Sequence, residues 1–105
     1  MSEVGTYDVV DGIGVITVDN PPVNALGIKT RVALDEGFRK FADDPSVKAI
    51  VLTCGGRTFF AGADISEFGK PSQGPALHKV MDLIENLSKP VVAAIHGTAL
   101  GGGFE

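Results

Sequence analysis

The sequence predicts an α/β fold built around parallel strands. Two short apolar runs, Ala49-Ile50-Val51-Leu52 and Val91-Val92-Ala93-Ala94-Ile95, lack the alternation of a strand with one wet face. Continuous runs of this kind suit strands covered on both faces, as in a parallel sheet. Amphipathic helical stretches precede both runs, and helices alternating with buried strands imply right-handed crossovers. Glycine-rich segments then follow both runs, at the strand ends where such folds tend to place ligands.

The elements follow in chain order. Residues 7–10 and 13–19 are β-rich, and Asp11-Gly12 between them is a favoured two-residue hairpin turn. Asn20-Pro21-Pro22 ends the second strand, because proline cannot donate to a ladder. From 28 to 41 the period becomes helical. Leu34, Phe38 and Phe41 form one stripe, with Lys29, Arg31, Asp35, Arg39 and Lys40 elsewhere. Asp43-Asp44-Pro45 stops this helix as a solvated end. Residues 47–54 form the first buried strand. Residues 55–69 read as one long connection, and loops of that length are uncommon unless they have a function. Residues 75–87 form a second helix with Leu77, Val80, Met81, Ile84 and Leu87 as a core-packing stripe. Ser88-Lys89-Pro90 breaks it, residues 91–95 form another buried strand, and a glycine loop leads to Glu105.

Composition bounds the function. The chain has 105 residues, 44% of them apolar and 21% charged, as in an ordinary soluble domain. A net charge of −4 argues against nucleic-acid binding, which needs a basic surface. The N-terminus lacks the basic and apolar regions of a signal peptide. No apolar run approaches the roughly 20 residues of a membrane span. A cytoplasmic or matrix-type compartment is therefore expected. Cys54 is the single cysteine, so it can form neither an internal disulfide nor a zinc site and reads as a small buried apolar residue. His96 reads as a structural residue at a strand end, and His78 as a polar-face residue of the second helix.

Two segments point to chemistry. Phe59-Phe60-Ala61-Gly62-Ala63-Asp64-Ile65 follows a buried strand, and its small residues allow a ligand close to the backbone. An ordinary tight turn fits the same spacing. Gly101-Gly102-Gly103 precedes Phe104-Glu105, and a helix starting there would offer free N–H groups to an anion or a developing oxyanion. The spacing of Gly97, Gly101, Gly102 and Gly103 is not that of a dinucleotide-binding loop, and no Gly-Lys-Ser/Thr phosphate loop is present. One N–H from each segment, converging on a carbonyl oxygen, would stabilise an enolate. Glu105 beside them would handle a proton or a water. Taken alone, a single glutamate at this position reads as a solvated charge.

Four motifs in order change the weighing: Asn20-Pro21-Pro22-Val23-Asn24-Ala25-Leu26, Phe60-Ala61-Gly62-Ala63-Asp64-Ile65, Lys89-Pro90-Val91-Val92-Ala93-Ala94-Ile95-His96-Gly97, and Ala99-Leu100-Gly101-Gly102-Gly103-Phe104-Glu105. Together they closely resemble the enoyl-CoA hydratase/isomerase (crotonase) superfamily. Their wording is most similar to the hydratase portion of multifunctional fatty-acid oxidation enzymes. The resemblance implies a crotonase-like spiral of ββα units, of which residues 1–105 would be the N-terminal part. It implies acyl-CoA thioester substrates, with no cofactor or metal beyond the CoA they carry. Ala63 and Gly102 would supply the oxyanion-hole N–H groups, and Glu105 would be the first catalytic glutamate. Ala61 would lie on the CoA adenine side through its backbone, and Pro22, Val23, Asp64 and Ile65 would line the CoA site. Family members are usually homo-oligomers, trimers or dimers of trimers, or parts of multifunctional chains.

The same resemblance implies that a hydratase needs a second glutamate beyond residue 105, so the 105-residue chain is expected to turn over little by itself. Glu105 favours hydration over double-bond isomerisation, although the scaffold also supports hydrolases, decarboxylases and dehalogenases. The competing classes are a non-catalytic acyl-CoA-binding module and a fragment whose exposed apolar strands promote association.

Overall fold

The computed structural model describes residues 4–64, 67, 69 and 74–103. Strands β1 (Gly5–Val10) and β2 (Ile13–Val18) form a hairpin, followed by helix α1 (Ile28–Ala42) and strand β3 (Ala49–Cys54). Strand β4 (Thr58–Phe60), helix α2 (Leu77–Glu85), strands β5 (Val91–Ala93) and β6 (Thr98–Ala99), and a 3₁₀ turn over Gly101–Gly103 complete the order. The main sheet runs β1-β2-β3-β5, with β2, β3 and β5 parallel and β1 antiparallel at one edge. The expected β-β-α-β-loop-α-β order is present.

Local chemistry explains the frame. Asp11 and Gly12 take φ of 51° and 80°, the left-handed geometry that matches a two-residue turn to strand twist. Leu34, Phe38 and Phe41 of α1 share one buried cluster with Ile16 and Val18 of β2 and Ile50 and Leu52 of β3. Phe38, Phe41, Ile16 and Ile50 are fully buried, each contributing about 1.5–3 kcal/mol of burial free energy. The C-terminal carbonyls of α1 are held by a residue far along the chain: Lys89 Nζ donates to Phe41 O and to Asp44 O, the latter at 2.7 Å. A cation there also complements the helix dipole. Asp44 is a turn-former at this end. Its carboxylate accepts from Ser46 Oγ at 2.7 Å and Ser46 N at 2.9 Å, which holds it below the ordinary carboxylate range.

The structure corrects four expectations. The 55–69 connection contains a strand: β4 pairs in parallel with β6, which lies within the predicted glycine loop. Neither strand is long enough to show a period, and their pairing spans some forty residues of sequence. Secondly, residues 91–95 are not a buried strand. β5 is three residues long, pairs with β3 at the sheet edge, and leaves Val92 and Ile95 each 57% exposed. Apolar composition alone cannot distinguish a central strand from an edge. β3 itself buries Ile50, Leu52 and Cys54, while Ala49, Val51 and Thr53 on its other face are only half-buried. Thirdly, the α2 stripe packs on the core but is not fully covered: Val80 is fully buried and Leu77, Ile84 and Leu87 are partly buried against it, while Leu77, Val80, Met81 and Ile84 line an apolar cleft with Val91, Ala93 and Ile95. Finally, Arg31 is not on a solvated face but 7% exposed, for reasons given below.

Cys54 is buried, its thiol bonded to Phe59 O and pushed up to about 12 by burial and then by the Asp19 charge. His96 Nε2 lies 2.8 Å from Gly56 O at the strand end, and His78 is exposed on α2. Among the described residues no helix is long and apolar enough to cross a membrane, and no acidic, histidine or cysteine cluster is placed to hold a metal.

Candidate active site

The loops after β2, β4 and β6 meet at one end of the strands. The first is organised by Asn24, a buried residue with φ of 54°. Asparagine tolerates this left-handed conformation better than most residues. Its Nδ2 donates to Gly55 O at 3.0 Å and Thr58 O at 2.7 Å, and its Oδ1 accepts from Asn20 N at 2.7 Å. One side chain thus ties the Asn20–Ala25 loop to the turn between β3 and β4. Asn20 Nδ2 reaches Thr30 Oγ1 at 3.1 Å, and that hydroxyl donates to Ala25 O at 2.8 Å, fixing the loop's exit into α1.

The second loop is bound to the first by Leu26 N, which donates to Gly62 O at 2.7 Å. The two loops enclose a cleft of about 410 Å³. Pro22, Val23, Ala61, Ala63 and Asp64 all line it, with Asn20, Pro21 and Ala25. Five of the eight site residues expected from the motifs therefore share one concavity. Ala63 is exposed, and among the described residues its N–H has no backbone acceptor.

The third loop docks on the second. Leu100 N donates to Phe60 O at 2.9 Å, extending the β4–β6 pairing. The Gly101–Gly103 turn packs so closely that a Cβ on Gly103 would lie 2.2 Å from Phe60 O, and one on Gly101 would lie 3.7 Å from Gly62 Cα. Glycine is required at 103 for this approach. Gly102 sits in the middle of that turn, whose first N–H groups have no partner within the turn. The structure thus sets the Ala63 and Gly102 segments side by side, joined by the Leu100–Phe60 hydrogen bond and the close approach of Gly103 to Phe60. Gly103 also lines the apolar cleft of about 540 Å³ beneath α2. Ile65 and Glu105 lie outside the described residues.

This is the geometry of two bare backbone segments at a cleft, and similarity to known proteins decides its lineage. The family model for enoyl-CoA hydratase/isomerase matches residues 8–105. The chain belongs to the enoyl-CoA hydratase/isomerase family. It is 48% identical over 93 residues to a peroxisomal bifunctional enzyme of Danio rerio, covering 89% of this chain and 13% of that protein. It is 42% identical over 96 residues to a carnitinyl-CoA dehydratase of Salmonella paratyphi B, covering 86% and 37%. Among solved structures, a crystal structure of an enoyl-CoA hydratase/isomerase family member superposes with a TM-score of 0.82 at 32% identity, covering 95% of this chain and 42% of that one. The architecture is accordingly the crotonase fold, and the chain spans less than half the length of these relatives.

Sequence reasoning missed the residues that brace this cleft. Asn20 and Asn24 lay inside a quoted motif without a role. Arg31 and Glu67 gave no signal, because their partners are a loop carboxylate, backbone groups and each other, separated by 36 residues. Asp64 lines the cleft as expected, and its carboxylate also sits at the N-terminus of α1: a Cβ on Gly27 would be 2.7 Å from both Asp64 Oδ2 and Glu67 Oε2. Carboxylates at that helix end are favoured by the helix dipole.

Proposed function

We propose that this chain carries the thioester-binding half of an enoyl-CoA hydratase site, serving fatty-acid β-oxidation. The observation that carries the reading is the shared cleft of Pro22, Val23, Ala61, Ala63 and Asp64, with the Gly101–Gly103 turn docked on Phe60, the residue that leads into its Ala61–Ala63 wall. In this reading the CoA moiety lies against Pro22, Val23, Ala61, Asp64 and Ile65. The thioester oxygen accepts from Ala63 N–H and Gly102 N–H. As water adds at C3 of a 2-enoyl thioester, the carbonyl oxygen takes up enolate charge, and donors fixed in advance lower that barrier. One such donor is worth about 10²–10³ in rate. Glu105 would take the proton from the attacking water, and the second glutamate that the family resemblance implies would give a proton to C2, leaving the 3-hydroxyacyl thioester. CoA enters as part of the substrate, and no further cofactor is invoked.

A second reading runs the same chemistry in reverse. The similarity to a carnitinyl-CoA dehydratase favours loss of water from an acyl-CoA, and the same donors serve either direction. The test common to both is discrimination between a thioester and a thiol. The chain should bind acetoacetyl-CoA, whose enolate mimics the charged state, more tightly than CoA itself in calorimetric titrations. Equal affinity for the two would sink the oxyanion assignment. Where water addition or elimination is measurable, Glu105→Ala should abolish it and leave acyl-CoA affinity intact, whereas a pure binding module would show no turnover to lose.

A further inference from the structure

The Ala61–Asp64 loop is anchored at two places by unrelated groups. Upstream, Leu26 N holds Gly62 O, and the β4–β6 pairing holds Phe60. Downstream, the anchor is Glu67. Its Oε2 accepts from Ile28 N at 2.8 Å, and its Oε1 accepts from Arg31 Nη1 at 3.1 Å. Arg31 is nearly buried, and its guanidinium does more than pair with Glu67. Nη1 donates to Leu26 O at 2.9 Å and Nε donates to Pro75 O at 2.8 Å. A single planar fork therefore bridges the residue that holds Gly62, the carboxylate downstream of Asp64, and the far end of the connecting segment. Guanidinium is suited to this because its donors lie in fixed directions and it never deprotonates. A buried arginine is costly unless its partners are all in place, so the contacts stand or fall together.

We propose that Arg31 and Glu67 are positioning residues for the oxyanion site: they fix the downstream half of the loop and hence the direction of the Ala63 N–H. The proposal rests on the oxyanion role of Ala63 argued above. It assigns the pair no contact with the substrate. The pair reaches Ala63 through Asp64, whose carbonyl accepts from Glu67 N at 3.1 Å. The upstream half of the loop has its own anchors, so CoA recognition at Ala61 does not depend on Glu67.

The test is binding of acetoacetyl-CoA and of CoA to the wild-type chain, Glu67→Ala, Glu67→Gln and Arg31→Met. Calorimetry is paired with the ultraviolet band of the bound enolate, and circular dichroism reports folding. Glu67→Ala and Arg31→Met should lose the preference for the thioester by at least about tenfold, the loss of a well-aimed hydrogen bond to a charged group. Their affinity for CoA should fall by less than their affinity for acetoacetyl-CoA, because Pro22, Val23 and Ala61 keep other anchors, and the enolate band should weaken. Glu67→Gln retains an acceptor for Ile28 N and should fall between wild type and alanine. A merely structural role would shift both ligands together. Folded variants with the wild-type preference overturn the proposal. So does full wild-type preference in Glu67→Gln if the two harsher variants do not fold. A wild-type chain with no preference refutes the oxyanion reading itself, and the positioning role falls with it.

Discussion

Removing the Asn24 side chain should unfasten the site more than removing any residue that lines it. Asn24→Ala deletes three hydrogen bonds, to Gly55 O, Thr58 O and Asn20 N, at 3.0, 2.7 and 2.7 Å. Each is worth about 1 kcal/mol net in a partly buried setting. Alanine must also hold φ near 54°, which costs roughly a further 1 kcal/mol. The expected loss is therefore about 3–5 kcal/mol, a large share of the ~5–15 kcal/mol that stabilises a typical domain. Urea denaturation followed by far-ultraviolet circular dichroism measures it, with Asn24→Gly as the control. Glycine loses the same hydrogen bonds but accepts the left-handed backbone, so it should be about 1 kcal/mol more stable than alanine. An Asn24→Ala chain within about 1 kcal/mol of wild type would refute the hydrogen-bond reasoning. Equal stability of the two variants would refute the backbone part.

Three further outcomes follow from the same structure. Cys54 should resist alkylation near neutral pH in the folded chain and react rapidly after denaturation. Because its folded pKa is raised from 9.0 to about 12, stability should be fully present below pH 9 and decline as pH rises toward 12; Cys54→Ala should flatten that decline in alkaline urea titrations. Lys89→Met should cost about 1–2 kcal/mol by removing the charged donor that Phe41 O and Asp44 O share at the end of α1, read as a lower urea midpoint. Gly97→Ala should be more damaging than an ordinary surface change, by roughly 2 kcal/mol or more, because φ is 63° and the added Cβ would lie 1.8 Å from Arg57 O. A thermal melt unchanged from wild type would contradict it.

What could be read from sequence divides along the range of the interactions. The Asp11-Gly12 hairpin and the α1 stripe of Leu34, Phe38 and Phe41 are local patterns, and both appear where residue spacing places them. The exposed state of Val92 and Ile95 depends on strand order, which no property of residues 91–95 encodes. β4 and β6 are each too short to carry a period, and they exist because they pair with each other. The cleft shows the same division. Pro22, Val23, Ala61, Ala63 and Asp64 are legible as small or rigid residues in recognisable motifs, and they do share one concavity. Asn24, Arg31 and Glu67 are not legible in this way. Arg31 looked like one more helix-surface cation, and only its partners at Leu26, Glu67 and Pro75 explain its burial.

The central claim, that Ala63 and Gly102 N–H groups receive a thioester oxygen, is tested most directly by amide chemical shifts. A ¹⁵N-labelled chain would be titrated in parallel with acetoacetyl-CoA and with CoA. Both ligands should move amides around Val23 and Ala61, and only the thioester should move Ala63 and Gly102 strongly downfield, as donors to a charged oxygen. If Ala63 and Gly102 respond identically to the two ligands, or to neither while Val23 and Ala61 shift, the oxyanion assignment is wrong.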